Sequence, residues 1–314
     1  MLNSVQNPLI TVFYKTMQFN INDTILGKNA STPEKYDASL LFRIPRTENR
    51  EQYDIHDGNL PFIGFDVWNC YELSFLTDNG LPVSRVMKLI YPADSPFLVE
   101  SKSLKLYLNA FNMDSFGRTI IEAEKRVVDV ITRDLSTLLL TEVRVILFDA
   151  DSSVLEAFPQ LKDADLAGQV SLEKQESISF TRFNESPELL ISTKTDEMQH
   201  YAFRSDMLRS NCRVTNQPDW GDLFVEMTTV HQIDLSTVME YLISFRKENH
   251  FHEEVVEMIY KRFLNKFEPE TLMVAAMYTR RGGIDINPIR VSHSKLLDAA
   301  MLSTTCRLAK NLRQ

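Results

Sequence analysis

Cysteine is scarce in this chain: only Cys70, Cys212 and Cys306 occur among 314 residues. An odd number of widely spread cysteines offers neither a disulfide framework nor a zinc cluster. Long apolar runs are also missing, so no stretch of about 18 apolar residues predicts a membrane-spanning helix. No basic region followed by an apolar one marks a secretion signal near the first residue. We therefore expect a cytoplasmic protein whose cysteines stay reduced.

Positive charge is also in short supply. The chain has 34 lysines and arginines against 43 aspartates and glutamates, which gives a net charge of −9. Phosphate backbones and anionic membranes attract basic proteins, so we expect no nucleic-acid partner and no membrane. With 44% hydrophobic and 25% charged residues, the composition is typical of a soluble globular protein. The length allows one large or two ordinary domains.

The pattern of apolar residues predicts the same order of elements in both halves of the chain. The first half has two strands, two amphipathic helices and a strand, at 62–77, 84–94, 100–111, 119–138 and 141–151. The second half repeats this order and adds a strand, at 200–214, 222–230, 235–249, 255–267, 271–279 and 284–292. Short strands are also predicted at 177–183 and 188–193. The prediction is an α+β protein with halves 1–155 and 156–314, joined by a polar linker.

Aligning the two halves indicates a tandem duplication of one α+β unit. In this alignment TDNG at 77–80 lies opposite PDWG at 218–221, and YLNAF at 107–111 lies opposite YLISF at 241–245. The matched segments predict that both copies fold in the same way.

The two copies differ in their polar residues. The alignment pairs Asp78 with Asp219 but places Tyr71 opposite Cys212. The other unlike pairs are ESK (100–102) against DLS (234–236), and Gly117 and Arg118 against His252 and Glu253. A single site between the copies would therefore draw on both of them. Drift in a structural repeat is the alternative.

The stretch SNCRVTNQPDWGD, 210–222, offers a candidate nucleophile. A cysteine attacks as a thiolate, so Cys212 would need a nearby base or cation. Asp219, held against the ring of Trp220, could deliver a proton to a developing nitrogen anion. A turn at the adjacent proline and glycine could bring that carboxyl back towards the thiol. A lone cysteine is more often buried filler, so these residues alone leave both interpretations open.

Two other stretches carry groups that could bind a ligand. HFHEE at 250–254 could supply metal ligands, but the other histidines show no suitable spacing, and its glutamates could simply favour a helix N-terminus. RRGG at 280–283 is either a solvated hairpin tip or a phosphate site, because glycines let the backbone approach while guanidiniums pair with phosphate. No GxGxxG follows a predicted strand, so a Rossmann-type nicotinamide site is not supported.

Four stretches are distinctive in combination, namely ESKSLKLYL, CRVTNQPDWG, FHE and RRGGIDINP. Together they closely resemble the long, two-module 7-cyano-7-deazaguanine reductases, the NADPH-dependent nitrile reductases of the queuosine pathway. The resemblance spans nearly the whole chain. It implies two tandem tunnelling-fold modules, each an antiparallel sheet with two helices packed on one face, related to GTP cyclohydrolase I. It also implies a homodimer with the active site at the junction of the modules.

The resemblance further implies a role for individual residues. It makes Cys212 the nucleophile that adds to the nitrile carbon of 7-cyano-7-deazaguanine, and Asp219 the proton donor to the nitrile nitrogen. The implied substrate-binding residues are Val99, Glu100, Ser101, Phe251, His252 and Glu253. The implied NADPH-binding residues are Ser101, Lys102, Arg281 and Gly282. No metal is expected.

Two alternative functions belong to other classes. A non-redox hydrolase like GTP cyclohydrolase I would need zinc ligands, and the cysteine and histidine spacing offers no convincing set. A non-catalytic purine- or pterin-binding module is disfavoured, because Cys212, Asp219, the ESK stretch and the FHE stretch all occur together.

Overall fold

The computed structural model describes residues 35–149, 151–305 and 314. In the first half, the described residues form five strands and three α-helices. The elements are β1 Arg43–Pro45, α1 Thr47–Gln52, β2 Ile63–Leu76, β3 Pro82–Pro92, β4 Phe97–Val99, α2 Ser101–Asn109, α3 Ile120–Leu139 and β5 Arg144–Phe148. The second half begins with two short helices and then repeats the order of strands and helices. Its elements are α4 Leu166–Gln169, α5 Leu172–Ser177, β6 Ser192–Asn211, β7 Pro218–Ile233, α6 Leu235–Ile243, α7 His252–Phe267, β8 Thr271–Tyr278, β9 Ile284–Val291 and α8 Ala299–Leu302.

Seven strands form one antiparallel sheet in the order β5-β3-β2-β9-β8-β7-β6. The halves meet where β2 pairs with β9, from Ile63 opposite Val291 to Cys70 opposite Ile284. Strands β1 and β4 form a separate two-stranded sheet beside it. The backbone of the large sheet is therefore continuous across both halves.

The longer helices pack on one face of this sheet, because strand side chains alternate between the two faces. In β8, Leu272, Val274 and Ala276 join the cluster that contains α6 and α7, whereas Met273 and Ala275 join a cluster on the opposite face. Helices α2 and α3 contribute to a third apolar cluster with β2 and β3. The apolar stripe predicted for 119–138 is buried in it, at Ala123, Val127, Ile131, Leu135 and Leu139.

The predicted order of elements is confirmed in both halves, with helix and strand ends shifted by a few residues. Two short strand predictions are wrong. Of residues 177–183, Ser177 ends α5 and the others form no regular element, and 188–193 begin in a 3-10 turn before β6 starts at Ser192. These short apolar runs were ambiguous because periodicity alone does not separate a strand from packed loop residues. The strand predicted at 200–214 starts earlier, at Ser192, and ends before Cys212.

The turns that follow β2 and β6 have matching hydrogen bonds and so fix the true alignment of the copies. Thr77 N donates to Leu81 O at 3.0 Å, and Gly80 N donates to Thr77 O at 2.8 Å. In the second half, the corresponding bonds join Cys212 N to Gln217 O at 2.8 Å and Asn216 N to Cys212 O at 2.9 Å. Gly80 and Asn216 both have positive φ, at 81° and 55°.

This geometry corrects the sequence alignment around the candidate nucleophile. Thr77, and not Tyr71, occupies the place of Cys212. The return strands begin at Pro82 and Pro218, so Val83, and not Asp78, corresponds to Asp219. The sequence alignment was wrong because it treated PDWG as a turn, whereas PDWG begins β7 and the second turn is one residue longer. The first copy therefore lacks both the cysteine and the aspartate.

The alignment of α3 with α7 is also wrong, because the N-caps Thr119 and Phe251 place Ile120 and Ile121, and not Gly117 and Arg118, opposite His252 and Glu253. The alignment of α2 with α6 is confirmed. Helices α2 and α6 start at Ser101 and Leu235, and their N-caps are Glu100 and Asp234, as the pairing of ESK with DLS requires.

Candidate active site

A cleft with a volume of about 370 Å³ lies between the N-termini of α2 and α7, the β6–β7 turn and the β8–β9 hairpin. The first half contributes the end of β4, the start of α2, Ile44 of β1 and Trp68 of β2, and the second half contributes the remaining walls. All of the catalytic, substrate-binding and cofactor-binding residues that the resemblance implies line this cleft: Val99, Glu100, Ser101, Lys102, Cys212, Asp219, Phe251, His252, Glu253, Arg281 and Gly282. Residues separated by more than half the chain thus meet in one place.

Cys212 is the first residue after β6, and its thiol is free and half-buried. The tight turn holds its backbone at both ends, through the bonds to Gln217 and Asn216. Asn216 adopts the left-handed conformation at φ 55°, which asparagine tolerates better than most residues. The turn therefore fixes a reactive side chain at the edge of the cleft, where a small ligand can reach it.

Asp219 is the second residue of β7 and is almost fully buried. Its Oδ1 forms an ion pair with Arg281 Nη1 and lies 3.7 Å from His252 Nε2. Trp220, the next residue, points to the other side of the strand, where the guanidinium of Arg246 lies 5.4 Å from the ring centroid. The surroundings of the Asp219 carboxyl are therefore set by Arg281 and His252, and the expected contact with Trp220 is wrong.

His252 begins α7, and its ring packs edge-on against Tyr278 with 4.1 Å between the centroids. Burial lowers the pKa of His252; the Asp219 carboxylate opposes this shift, and Arg281 adds to it. The imidazole is therefore neutral at pH 7, and it can accept or donate one hydrogen bond inside the cleft.

Glu253 follows on the same helix and is 2% exposed. Its Oε1 has no hydrogen-bond partner among the described residues. Burial and the Asp66 carboxylate raise the pKa of Glu253 to about 8, against the opposing effect of Arg46 and Arg290. A buried acceptor without a partner costs free energy, and a ligand with N–H donors would remove that cost.

Glu100 brings a second carboxyl into the cleft, from the first half of the chain. It caps α2, since its two oxygens accept from Lys102 N at 3.0 Å and Ser103 N at 2.7 Å. Burial raises the pKa of Glu100, although the two backbone N–H groups oppose the shift. The cap fixes the direction of the side chain, as an acidic residue at a helix N-terminus commonly does.

Three cationic side chains line the cleft. Lys102 and Lys105 lie one turn apart on α2, and Arg281 reaches in from the β8–β9 hairpin, where its Nη2 donates to Gln217 Oε1 at 2.7 Å. At Gly282 φ is +56°, and a β-carbon there would lie 3.2 Å from Lys105 Nζ. The open backbone and the cations suit a phosphate group, so these residues fit a phosphate-bearing cofactor.

The two arginines of RRGG have separate surroundings. Only Arg281 lines the cleft, whereas the guanidinium of Arg280 lies over the Tyr71 ring, 3.1 Å from its centroid. The hairpin tip is therefore not a simple pair of phosphate-binding side chains.

Several cleft residues were not named from the sequence, although most of them lie within the stretches singled out there; Ile44, Trp68, Leu98 and Thr279 lie outside those stretches. The residues not named are Ile44, Trp68, Leu98, Lys105, Val214, Thr215, Gln217, His250, Thr279, Ile284 and Ile286. Lys105 could have been found, because it follows Lys102 at a spacing of three and so shares its helix face. Trp68 lies in the middle of β2, and only the pairing of β2 with β9 brings it to the cleft.

Two further observations concern other kinds of site. Nowhere in the described part of the chain do three or more His, Cys, Asp or Glu side chains gather in a way that could hold a metal ion. Among residues 35–149, 151–305 and 314, no helix combines the length and the apolar character needed to cross a bilayer.

The arrangement is that of an enzyme acting on a small ligand. The Cys212 thiol, the buried Asp219 carboxyl and the neutral His252 imidazole line one cleft, together with two more carboxyls and three cationic side chains. A thiol beside a proton-carrying group is the common arrangement of covalent catalysis.

Family models and known relatives agree on one family. Residues 32–147 match the model described as nitrile reductase, 7-cyano-7-deazaguanine-reductase N-term, and residues 218–296 match a model described as QueF-like protein. The NADPH-dependent 7-cyano-7-deazaguanine reductase of Psychrobacter cryohalolentis is 40% identical over 295 residues, covering 91% of this chain and 98% of the relative. The enzyme of that name from Colwellia psychrerythraea is 40% identical over 272 residues, covering 85% and 91%. The chain belongs to the family of NADPH-dependent 7-cyano-7-deazaguanine reductases.

A solved structure of the archaeosine synthase QueF-Like in the apo form also matches. It covers 31% of this chain at 15% identity with a TM-score of 0.27. Similarity at that level supports no statement about this fold or this site.

Proposed function

We propose that this protein reduces the nitrile of 7-cyano-7-deazaguanine to the aminomethyl group, with NADPH as the reductant, in queuosine biosynthesis. The observation that carries the proposal is the meeting of the Cys212 thiol, the Asp219 carboxyl and two ligand-facing carboxyls, Glu100 and Glu253, in one cleft. A nitrile-reducing site needs a nucleophile, a proton source and a means of holding the ring, and each is represented in this set.

The purine-like ring is held by its polar edge. A 7-deazaguanine ring presents adjacent N–H donors, and the carboxylate of Glu253 can accept two of them in a bidentate contact. Glu100 faces the cleft from the opposite half and accepts from a further N–H group, with Val99 and Ser101 beside it. Phe251 packs against the ring, and His252 supplies a neutral donor or acceptor. An analogue without those N–H groups leaves a buried carboxyl unpaired and is rejected.

Cys212 and Asp219 divide the covalent step between them. The thiolate of Cys212 forms a bond to the nitrile carbon, and one C–N π bond breaks as a proton from Asp219 reaches the nitrogen. The product is a covalent thioimide. This carbon accepts a hydride more readily than the nitrile carbon does. After the first reduction the C–S bond breaks, the thiol leaves, and the resulting imine is reduced to the amine.

Ser101, Lys102, Arg281 and Gly282 hold the cofactor. NADPH, when bound, supplies one hydride for each of the two reductions. Lys102 and Arg281 pair with its phosphates, Ser101 donates a hydrogen bond, and Gly282 lets the chain approach closely because it has no side chain. Two reductions require two NADPH and two protons for each nitrile.

The larger assembly is part of the same proposal. The two halves, 1–155 and 156–314, are tandem tunnelling-fold modules, and the repeated order of elements and the paired helices on one face support this assignment. The protein is cytoplasmic, forms a homodimer, and has no nucleic-acid partner. The balance of 34 basic against 43 acidic residues supports the last statement.

The decisive experiment follows NADPH absorbance in the presence of 7-cyano-7-deazaguanine. We expect two NADPH to be consumed for each aminomethyl product. Intact-protein mass spectrometry without NADPH should show an adduct of the nitrile's mass, and Cys212→Ala should show neither adduct nor turnover. Binding of the ring without NADPH oxidation or adduct would instead support a non-redox tunnelling-fold enzyme or a binding module.

A further inference from the structure

A buried cluster of charges lies next to Glu253, between the two halves of the chain. It consists of three arginines and two acidic residues, none more than 3% exposed: Arg46, Arg50, Asp66, Glu257 and Arg290. Arg46, Arg50 and Asp66 belong to the first half, and Glu257 and Arg290 belong to the second. A buried charge is costly unless it is paired, so these contacts must be well satisfied.

Glu257 is the centre of the cluster. It accepts from Arg50 Nε and Nη2, both at 2.8 Å, and from Arg290 Nη2 at 2.8 Å, while Arg46 lies 3.6 Å away. Burial alone would raise the pKa of Glu257, but the arginines outweigh burial and lower it to about 2. Glu257 therefore stays ionised throughout the physiological range. It lies four residues after Glu253, on the same face of α7.

Asp66 contacts two of these three arginines, Arg46 and Arg290. It forms an ion pair with Arg46, and its Oδ1 lies 2.9 Å from Arg290 Nη1. Arg46 also donates to Ser95 Oγ, from Nε at 3.2 Å and from Nη2 at 3.1 Å. The arginines close to Glu253 are thus bound to Asp66 and Glu257.

Glu253 is left beside this cluster without an arginine of its own. No ion pair to it occurs among the described residues, and its Oε1 has no partner. The charged and titratable groups that face it come from five elements or their edges: Arg46 before α1, Asp66 on β2, Tyr91 on β3, Tyr278 on β8 and Arg290 on β9. Asp66 is the one carboxylate of that set. His252 and Glu257 lie on its own helix.

We propose that Asp66 is a positioning residue that holds Arg46 and Arg290 away from Glu253, so that Glu253 keeps its proton in the free enzyme and releases it when the ring binds. The inference rests on the proposed function, because that function places the N–H donors of the ring against Glu253. The ligand donates hydrogen bonds, so it selects the ionised carboxylate, and the proton of Glu253 must leave the site.

The pH dependence follows from this linkage. With the pKa of Glu253 at about 8, ring affinity rises about tenfold per pH unit up to that pH and then levels off. At pH 7, binding releases most of one proton. An ionised Glu253 in the free enzyme would give neither effect.

Calorimetry can count this proton. We would titrate 7-cyano-7-deazaguanine into the Cys212→Ala protein at pH 7, in two buffers with different ionisation enthalpies. Cys212→Ala removes the thiol, so covalent addition contributes no proton. We expect close to one proton released, and none after the further change Glu253→Gln.

Asp66→Asn tests the positioning role. It removes a negative charge and frees a guanidinium, so Glu253 should be ionised before the ring binds, and proton release at pH 7 should fall by more than half. Arg46→Gln removes a positive charge and should act in the opposite direction, raising release at pH 8.5. Asp57→Asn is the matched control, since Asp57 pairs with Arg50 at 2.9 Å on the exposed side of the cluster and should leave release unchanged.

Opposite shifts in the two variants cannot come from a general loosening of the fold. If Asp66→Asn does not fold, Arg46→Gln still decides the matter through its own sign. Unchanged release in the variants, or no release in the Cys212→Ala parent, overturns the inference. Failure of the wild type to oxidise NADPH with the nitrile would instead overturn the proposed function.

Discussion

The N-caps of α2 and α6 occupy the same position in the two copies, but they are used differently. Glu100 accepts two backbone N–H bonds and otherwise points into the cleft between the halves. Asp234 accepts from Ser236 N at 3.1 Å and pairs with Lys174 Nζ at 2.6 Å. One cap is open to a ligand, and the other is neutralised by its own chain.

The difference arises from what lies above each helix. In the second copy, α4 and α5 precede β6 and bring Lys174 over the N-terminus of α6. In the first copy, the facing surface belongs to the other half, with Cys212 and Glu253. The helix and its cap are therefore a framework common to both copies, whereas the chemistry depends on the segment that faces the helix N-terminus.

The turns that hold Thr77 and Cys212 provide the strongest test of this comparison. Cys212→Thr installs the residue of the first copy, which keeps the backbone bonds but removes the thiolate. Turnover should fall at least about 10³-fold, because no nucleophile remains. Steady-state NADPH oxidation measures the loss. Thr77→Ser is the matched control and should stay within about twofold of wild type. A Cys212→Thr protein with a tenth of the wild-type rate would contradict the assignment.

The caps themselves provide a second test, of smaller size. Glu100→Gln leaves one acceptor oxygen and loses the charge that faces the ring, so kcat/KM for the nitrile should fall about 10²-fold. Asp234→Asn makes the same chemical change at the equivalent place and should alter kcat/KM by less than about twofold. Equal losses in the two variants would mean that the caps act only through the fold.

The smallest expected effect is on stability, and it has opposite signs at the two caps. Burial raises the pKa of Glu100, so the folded protein holds this proton more tightly than the unfolded chain does. The group therefore lowers the stability of the fold as the pH rises above the ordinary pKa of glutamate. Burial would also raise the pKa of Asp234, but Lys174 and Ser236 outweigh burial and lower it, so this group adds stability that is lost as pH falls.

Denaturant titrations between pH 4 and pH 8 would show the two signs. Relative to wild type, Glu100→Gln should gain stability as pH rises, whereas Asp234→Asn should lose about 0.5 kcal/mol, a small value because the Lys174 pair is exposed to solvent. Parallel trends in the two variants would show that the caps do not differ electrostatically.

Sequence patterns predicted most of the framework because it depends on local periodicity. The stripe of α3 and the alternation in β8 are visible without a partner element. The residues of ESK, FHE and RRGG were also found from the sequence, since each is a short stretch with a distinctive composition. Their meeting in one cleft was expected from the resemblance, and the geometry brings them together.

Other features depend on contacts that no sequence window contains. The extra residue in the Cys212 turn shifted the predicted alignment, because TDNG and PDWG look alike while one is a turn and the other a strand. Asp66 and Glu257 are far apart in sequence, and a buried carboxylate looks like a surface one until its partners are known. Trp68 reaches the cleft only through the pairing of β2 with β9.

Gly64, near the start of β2, has a consequence for how the chain assembles. A β-carbon there would lie 2.0 Å from Ile289 O, so the two strands can approach only where a residue without a side chain stands. Its neighbours, Ile63 and Phe65, both carry large side chains. Sliding β2 along β9 by one residue would bring one of them against that carbonyl. The missing side chain at Gly64 thus selects one register of β2 on β9. In that register the Cys212 thiol and the cleft residues of the first half lie in the same cleft.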